Sequence, residues 1–96
     1  MSRQPCVYIL ASRPHGAIYT GVTADLVRRV WQHKRGEGSA FTKRYQIDKL
    51  VWMEAHDRMD EAIAREKQIK RWSKARRRGM IDEFNPEWRD LYLDLA

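Results

Sequence analysis

The first apolar run, Cys6-Val7-Tyr8-Ile9-Leu10, contains no polar break and is rich in β-formers, which predicts a strand. Ser12-Arg13-Pro14-His15-Gly16 ends it with turn residues. The next run, Ala17-Ile18-Tyr19-Thr20-Gly21-Val22, is expected to pair antiparallel with the first. From there the period lengthens to that of a helix. Thr23 is a suitable N-cap, Leu26, Val27, Val30 and Trp31 form an apolar stripe, and Gly36 stops the helix after about Arg35. Gly36-Glu37-Gly38-Ser39 is a loop, residues 40–45 have room for one helical turn, and Leu50-Val51-Trp52-Met53 reads as a third strand. A helix is predicted from Asp57 or Arg58 to about Arg71, and a further one capped by Ser73 to about Phe84, where Asn85-Pro86 breaks it. The order is β-β-α-β-α-α, an α+β fold with a three-stranded antiparallel sheet flanked by helices. Residues 5–84 make one domain. Residues 85–96 form an acidic, aromatic tail whose Trp88, Leu91, Tyr92, Leu93 and Leu95 are expected to pack back on it.

Composition narrows the class. With 96 residues, 43% hydrophobic and 33% charged, the chain is neither disordered in character nor membrane-like. It contains no apolar run of the roughly 18–20 residues that a spanning helix needs, and its start, Met1-Ser2-Arg3-Gln4-Pro5, has no signal-peptide core. A single cysteine, Cys6, excludes an internal disulfide and a Cys-rich zinc site, and fits a reducing cytoplasm. Charge adds more. Residues 1–78 carry 18 basic side chains against 8 acidic ones, a net of +10, whereas residues 79–96 carry Arg89 against five acids, a net of −4. A compact body of that charge attracts polyanions, so nucleic acid is the leading partner, ahead of an anionic membrane surface or a ribosomal surface, and no membrane partner is carried forward.

Four constellations carry candidate chemistry or binding. On the 58–71 helix, Met59, Ala62, Ile63 and Ile69 form an apolar stripe at 100° per residue, and Glu66 falls in its middle. An acid facing a core must be ion-paired, bonded to backbone or bound to a cation. Paired salt bridge and metal ligand are both open, since a hard divalent ion is often held by one or two carboxylates together with water and phosphate. On the first helix Arg29 and His33 stand at i and i+4 and project together; they are either a solvated basic face or a phosphate clamp with a proton-handling neighbour. Tyr8 and Tyr19 lie on the two paired strands, as packing residues or as a phenol poised for base chemistry. Lys67, Lys70, Arg71, Lys74, Arg76, Arg77 and Arg78 form a basic run suited to backbone phosphates, or simply a solvated surface.

Taken in order, these residues resemble the GIY-YIG nuclease superfamily, in particular its small stand-alone bacterial YhbQ/UPF0213-like branch. The likeness covers about residues 5–86. Its parts are Cys6-Val7-Tyr8, Tyr19-Thr20-Gly21, the segment from Thr23 through Arg29 to His33, the helix Ala64-Arg65-Glu66-Lys67-Gln68-Ile69-Lys70-Arg71-Trp72, and Asn85-Pro86-Glu87-Trp88. Each motif is common by chance, but the ordered set is specific. Cys6 and Thr20 stand where the founding motifs have Gly and Ile, and Phe41-Thr42 stands where related domains often have Tyr-Thr.

The resemblance implies a one-metal endonuclease with Glu66 holding Mg²⁺ or Mn²⁺, Arg29 stabilising the pentacoordinate phosphate, and Tyr8 or Tyr19 as the base assisted by His33. Tyr8 is the favoured base and Tyr19 the phosphate contact. The expected substrate is DNA rather than RNA, single-stranded or branched, in repair, recombination or DNA uptake, with a protein partner that can supply specificity. Two other classes stay open. One is a non-catalytic nucleic-acid-binding module on the same scaffold, and the other is an adaptor that docks through the tail at 85–96.

Overall fold

The computed structural model describes residues 4–95; Met1, Ser2 and Arg3 of the N-terminal lead-in and Ala96 of the tail lie outside them. The elements are β1 (Cys6–Ala11), β2 (Ile18–Thr23), α1 (Leu26–Lys34), α2 (Ala40–Tyr45), β3 (Lys49–Ala55), α3 (Met59–Arg71), α4 (Lys74–Phe84) and α5 (Tyr92–Leu95). The strands form one antiparallel sheet in the order β2-β1-β3. The predicted class and order therefore hold, α2 is the helical turn expected at residues 40–45, and α5 is a short addition.

The unbroken apolar run of β1 follows from its place. It is the central strand, helices cover both faces, and all six residues are buried. Val7, Ile9 and Ala11 join Ile18, Val51, Ala62, Ile69, Ile81 and Trp88 in one core layer on the α3–α4 side. Tyr8 and Leu10 point the other way, to Val30, Ile47 and Leu50. A register shift between Ile9 and Leu10 lets β3 place both Val51 and Trp52 in the first layer. Alternation along β1 thus gives one wholly apolar layer and one that contains a phenol.

Helix boundaries correct the sequence reading in detail. Thr23 is the last residue of β2, paired with Cys6, and the N-cap of α1 is Asp25, whose carboxylate accepts from Arg28 N at 3.2 Å. The Thr23 hydroxyl instead accepts from Asp25 N at 3.0 Å. The expected stripe on α1 is also rotated. Val30 is buried and Leu26 packs beneath the helix, but Val27 is 41% and Trp31 44% exposed. The inward face runs Leu26, Arg29, Val30, His33, because the two polar side chains find partners on the sheet. On α3 the buried line is Met59, Ala62, Glu66, Ile69, within about 80° of the helix circumference, and Ile63 falls outside it at 38% exposed. Glu66 does face the body.

The chain after α4 folds back. Asn85 Nδ2 donates to Val51 O at 3.2 Å and to Arg89 O at 2.8 Å, and Trp88, buried at a left-handed φ of 53°, donates its indole N–H to Asp82 at 2.7 Å. Leu91 N then donates to Leu50 O at 2.8 Å, which covers part of the open edge of β3. Leu91, Tyr92 and Leu95 close the second layer, as expected of an apolar tail, whereas Leu93 stays exposed. No helix among the described residues is long and apolar enough to cross a membrane.

Gly21 lies opposite Tyr8 in the β1–β2 register, and a Cβ there would sit 2.5 Å from the phenol's Cζ and hydroxyl oxygen. Because Tyr8 is buried, Gly21→Ala is expected to displace the ring and destabilise the fold by about 1–3 kcal/mol. Gly79, in α4 with nothing near its missing Cβ, provides the contrast: Gly79→Ala is expected to stabilise by about 0.5–1 kcal/mol. Urea denaturation of the two variants checks both signs.

Candidate active site

Strand pairing brings the two tyrosines together. Tyr19 pairs with Leu10, two positions from the Gly21–Tyr8 pair, so both phenols stand on one face with ring centroids 6.5 Å apart. The α1 helix lays His33 against them, at ring separations of 5.9 Å from Tyr8 and 5.5 Å from Tyr19. Arg29, one turn earlier, donates from Nε to the Tyr8 hydroxyl at 3.4 Å, from Nη1 to Gln32 Oε1 at 3.3 Å, and from Nη2 to the carbonyl of Gly38 at 3.2 Å. The guanidinium is held by neutral acceptors and has no carboxylate partner among the described residues, so its charge is free to meet an anion.

His33 is 3% exposed and bonded at both nitrogens: Nε2 to the Tyr8 hydroxyl at 3.1 Å and Nδ1 to the Thr42 hydroxyl at 3.0 Å. Thr42 Oγ1 has two outlets for its proton besides His33, the Ser39 carbonyl at 3.2 Å and the Ser39 hydroxyl at 2.9 Å. With the proton on either, Oγ1 accepts from His33 Nδ1–H and Nε2 keeps a lone pair facing Tyr8; in that tautomer the phenol oxygen accepts from Arg29 and donates to His33. Burial, with the nearby Arg29 charge second, lowers the His33 pKa to about 4, so the ring is neutral at physiological pH. Burial raises the Tyr8 pKa; Arg29 opposes this by bonding and charge, while Tyr19 and the Glu66 charge add to it.

Glu66 stands on α3, where its charge adds the smallest of the influences on Tyr8. Its side chain is 13% exposed and its carboxylate lies 2.9 Å from Lys70 Nζ, an i, i+4 pair within the helix. The described residues contain no group of three His, Cys, Asp or Glu side chains able to cage an ion. A small hard cation at Glu66 would have this carboxylate as its protein ligand, would displace Lys70 and would need water and phosphate to complete its shell.

The structure thus brings Tyr8, Tyr19, Arg29 and His33 into contact, whereas Glu66 makes its ion pair with Lys70 and no hydrogen bond to these four among the described residues. The basic run does not form one uniform stripe. It is divided by Trp72 and Ser73 into the ends of two helices. Lys67, Arg71 and Lys74 are exposed, Lys70 pairs with Glu66, Arg76 stacks 3.8 Å from the Trp72 ring centre, Arg77 is half-buried and Arg78 donates to Gly16 O at 3.2 Å. Sequence reasoning missed Thr42, Ser39 and the Gly38 carbonyl. Their only signal was Ser39-Ala40-Phe41-Thr42, a serine cap three residues before a threonine, at the start of a helix too short to stand out.

A model of the GIY-YIG catalytic domain matches residues 4–79. The chain belongs to the GIY-YIG family. A UPF0213 protein of Staphylococcus saprophyticus is 34% identical over 77 residues, 80% of this chain and 93% of that protein. A UPF0213 protein of Staphylococcus aureus is 35% identical over 68 residues, 71% and 83% of the two chains. The solution NMR structure of a UPF0213 protein from Bacillus halodurans superposes with a TM-score of 0.51 at 30% identity, covering 82% of this chain and 83% of that one. This is the small stand-alone UPF0213 branch of the GIY-YIG family, a family of endonucleases.

Two outcomes test the GIY-YIG site without substrate. Because the His33 pKa is depressed in the fold, the unfolded chain binds more protons between its ordinary value and about 4, so stability is full above pH 6.5 and falls as pH drops towards 4. The loss amounts to about 3 kcal/mol, and His33→Gln should remove that part of the pH dependence measured by urea denaturation. Thr42→Val strands a buried N–H and is expected to destabilise by about 1–3 kcal/mol.

Proposed function

We propose that the protein is a metal-dependent endonuclease that hydrolyses phosphodiester bonds in DNA, with single-stranded or branched DNA preferred over linear duplex. One observation carries this reading: the chain from part-buried Arg29 through Tyr8 to buried His33 presents an unneutralised guanidinium beside a phenol hydrogen-bonded to a neutral imidazole. Such a unit suits in-line attack on a phosphate. Arg29 binds the phosphate oxygens and favours the charge that develops on them. An attacking water passes its proton to the Tyr8 oxygen as the Tyr8 hydroxyl proton moves to His33 Nε2. The phenol ends neutral and His33 becomes imidazolium. Burial disfavours a free phenolate and, with the Arg29 charge, an imidazolium, so the relay needs the negative charge of a bound phosphate alongside to hold the proton on His33. Tyr19, whose hydroxyl makes no hydrogen bond within the described residues, is available as a phosphate contact. Glu66 would hold Mg²⁺ or Mn²⁺, and a bound ion would offset charge on the transferring phosphate and leaving oxygen.

Lys67, Lys70, Arg71, Lys74, Arg76, Arg77 and Arg78 supply sequence-independent attraction for the strand. Residues 5–84 are the nuclease domain, and the segment that begins at 85 packs on it through Trp88, Leu91, Tyr92 and Leu95. The buried, unpaired thiol of Cys6 fits a cytoplasmic protein, and repair, recombination or DNA uptake are the settings where cutting by shape is useful. A partner protein would supply further specificity. The alternative, a binding module without catalysis, draws on the Lys70–Glu66 ion pair, which occupies the carboxylate a metal would need.

Labelled single-stranded, duplex and branched DNA, with RNA alongside, separates the two readings when incubated in Mg²⁺, Mn²⁺ or EDTA. The nuclease reading expects cutting only with metal, a loss of about 10²–10³-fold in Arg29→Ala, and loss to background in Glu66→Ala with binding retained. Salt-sensitive binding with no cleavage in any metal would leave the binding module.

A further inference from the structure

Two hollows open along α1. The larger, about 520 Å³, is lined by Thr23, Asp25, Arg28, Arg29 and Gln32 and belongs to the site above. The smaller, about 270 Å³, lies a turn further on, where the end of α1, α2 and the start of β3 meet beside His33. Nothing in the chemistry so far uses it. Three lysines, Lys34, Lys43 and Lys49, converge on its wall with one acid, Asp48. Lys49 is paired with Asp48 at 3.0 Å and Lys34 with Asp90 at 2.6 Å. Lys43 has no carboxylate partner among the described residues. Its stem passes over Gly36, where an added Cβ would meet Cγ and Cδ at 3.6 Å, so the missing side chain leaves the stem its path.

The lining is therefore cationic, and the histidine at its floor is neutral, so it adds no charge of its own. A pocket of this size with one free ammonium and two partly neutralised ones matches a phosphate group and offers little to an apolar ligand. The basic run of α3–α4 is a weaker candidate for a defined phosphate contact, since Lys70, Arg76 and Arg78 are already engaged. We propose that this cavity is a second phosphate subsite, in which Lys43, flanked by Lys34 and Lys49, holds the phosphate of a nucleotide neighbouring the one bound at Arg29. The neighbour relation rests on the nuclease reading; the binding of phosphate does not. The subsite would fix the register of the strand, the task that phosphate contacts perform in nucleic-acid recognition.

The test is run on the full chain in EDTA, so that nothing is cut. Inorganic phosphate is titrated while the amide resonances of Gly36, Lys43 and Gln46 are followed by NMR. A single-stranded oligodeoxynucleotide is then bound at several salt concentrations, with hydroxyl ends or with a 5′- or 3′-phosphate. The expected result is that phosphate shifts those three amides, and that Lys43→Gln removes the shifts, weakens the oligonucleotide about three- to tenfold and lowers the salt slope by about one. Lys43→Arg should restore both, and Lys74→Ala should leave the three amide shifts intact. Tighter binding of one phosphorylated end assigns the subsite to a terminal monoester; equal affinity for all ends assigns it to an internal diester. Amides that do not respond to phosphate, or a Lys43→Gln variant that binds like wild type, overturn the proposal even if the protein cuts DNA. Shifts that appear in a protein that cuts nothing support the subsite and count only against the nuclease.

Discussion

A neutral imidazole sealed inside the fold is the constraint on which the site depends. His33 has almost no contact with water, and its two nitrogens are spent on Tyr8 and Thr42. A charged ring there would lose its hydration and lie close to Arg29, so the fold pushes the proton off. Each neighbour then has one role in the hydrogen-bond chain. With the Thr42 proton turned to Ser39, the ring carries its own proton on Nδ1, and the lone pair on Nε2 faces the Tyr8 hydroxyl. Gly21 and Gly38 are required because a methyl group at either would overlap the Tyr8 or the His33 ring.

The same chain explains why a site can be both buried and reactive. Tyr8 and His33 are fixed by packing, so a proton transfer between them needs no reorganisation. Arg29 lies at the border, bound to neutral acceptors, and keeps its charge for an incoming anion. The hollow beside Arg29 and the lysine-lined cavity beside His33 lie along one helix, so α1 both builds the reacting centre and orders what approaches it. The C-terminal segment supports this helix: Asp90 bonds Lys34 at 2.6 Å and the Leu50 N–H at 3.1 Å, tying the residue after His33 to the edge of β3.

The fold was largely legible because its signals are local. The apolar runs of β1 and β2, the Pro-Gly turn, the Ser73 cap and the Asn85-Pro86 stop each have a short-range physical cause. Glu66 was legible for the same reason, as a polar residue on an apolar line. The rotation of α1 was not, since Val27 and Trp31 look more apolar than Arg29 and His33; only the partners offered by Tyr8, Gly38 and Thr42 turn the polar pair inward. Ile63 was misplaced by a smaller error of the same kind, lying just beyond the buried arc. The lysine cavity was out of reach of the sequence altogether, because Lys34, Lys43 and Lys49 come from three elements that only the tertiary fold brings together.

The central claim is the neutral, Nδ1-protonated state of His33 with Nε2 accepting from Tyr8. The most direct measurement is an NMR experiment correlating the ring nitrogens of His33 with its carbon-bound protons in ¹⁵N-labelled protein near neutral pH. The account predicts a pyrrole-type Nδ1 and a pyridine-type Nε2, unchanged until the pH approaches about 4. An imidazolium spectrum at neutral pH, or the reversed tautomer with the proton on Nε2, would contradict it.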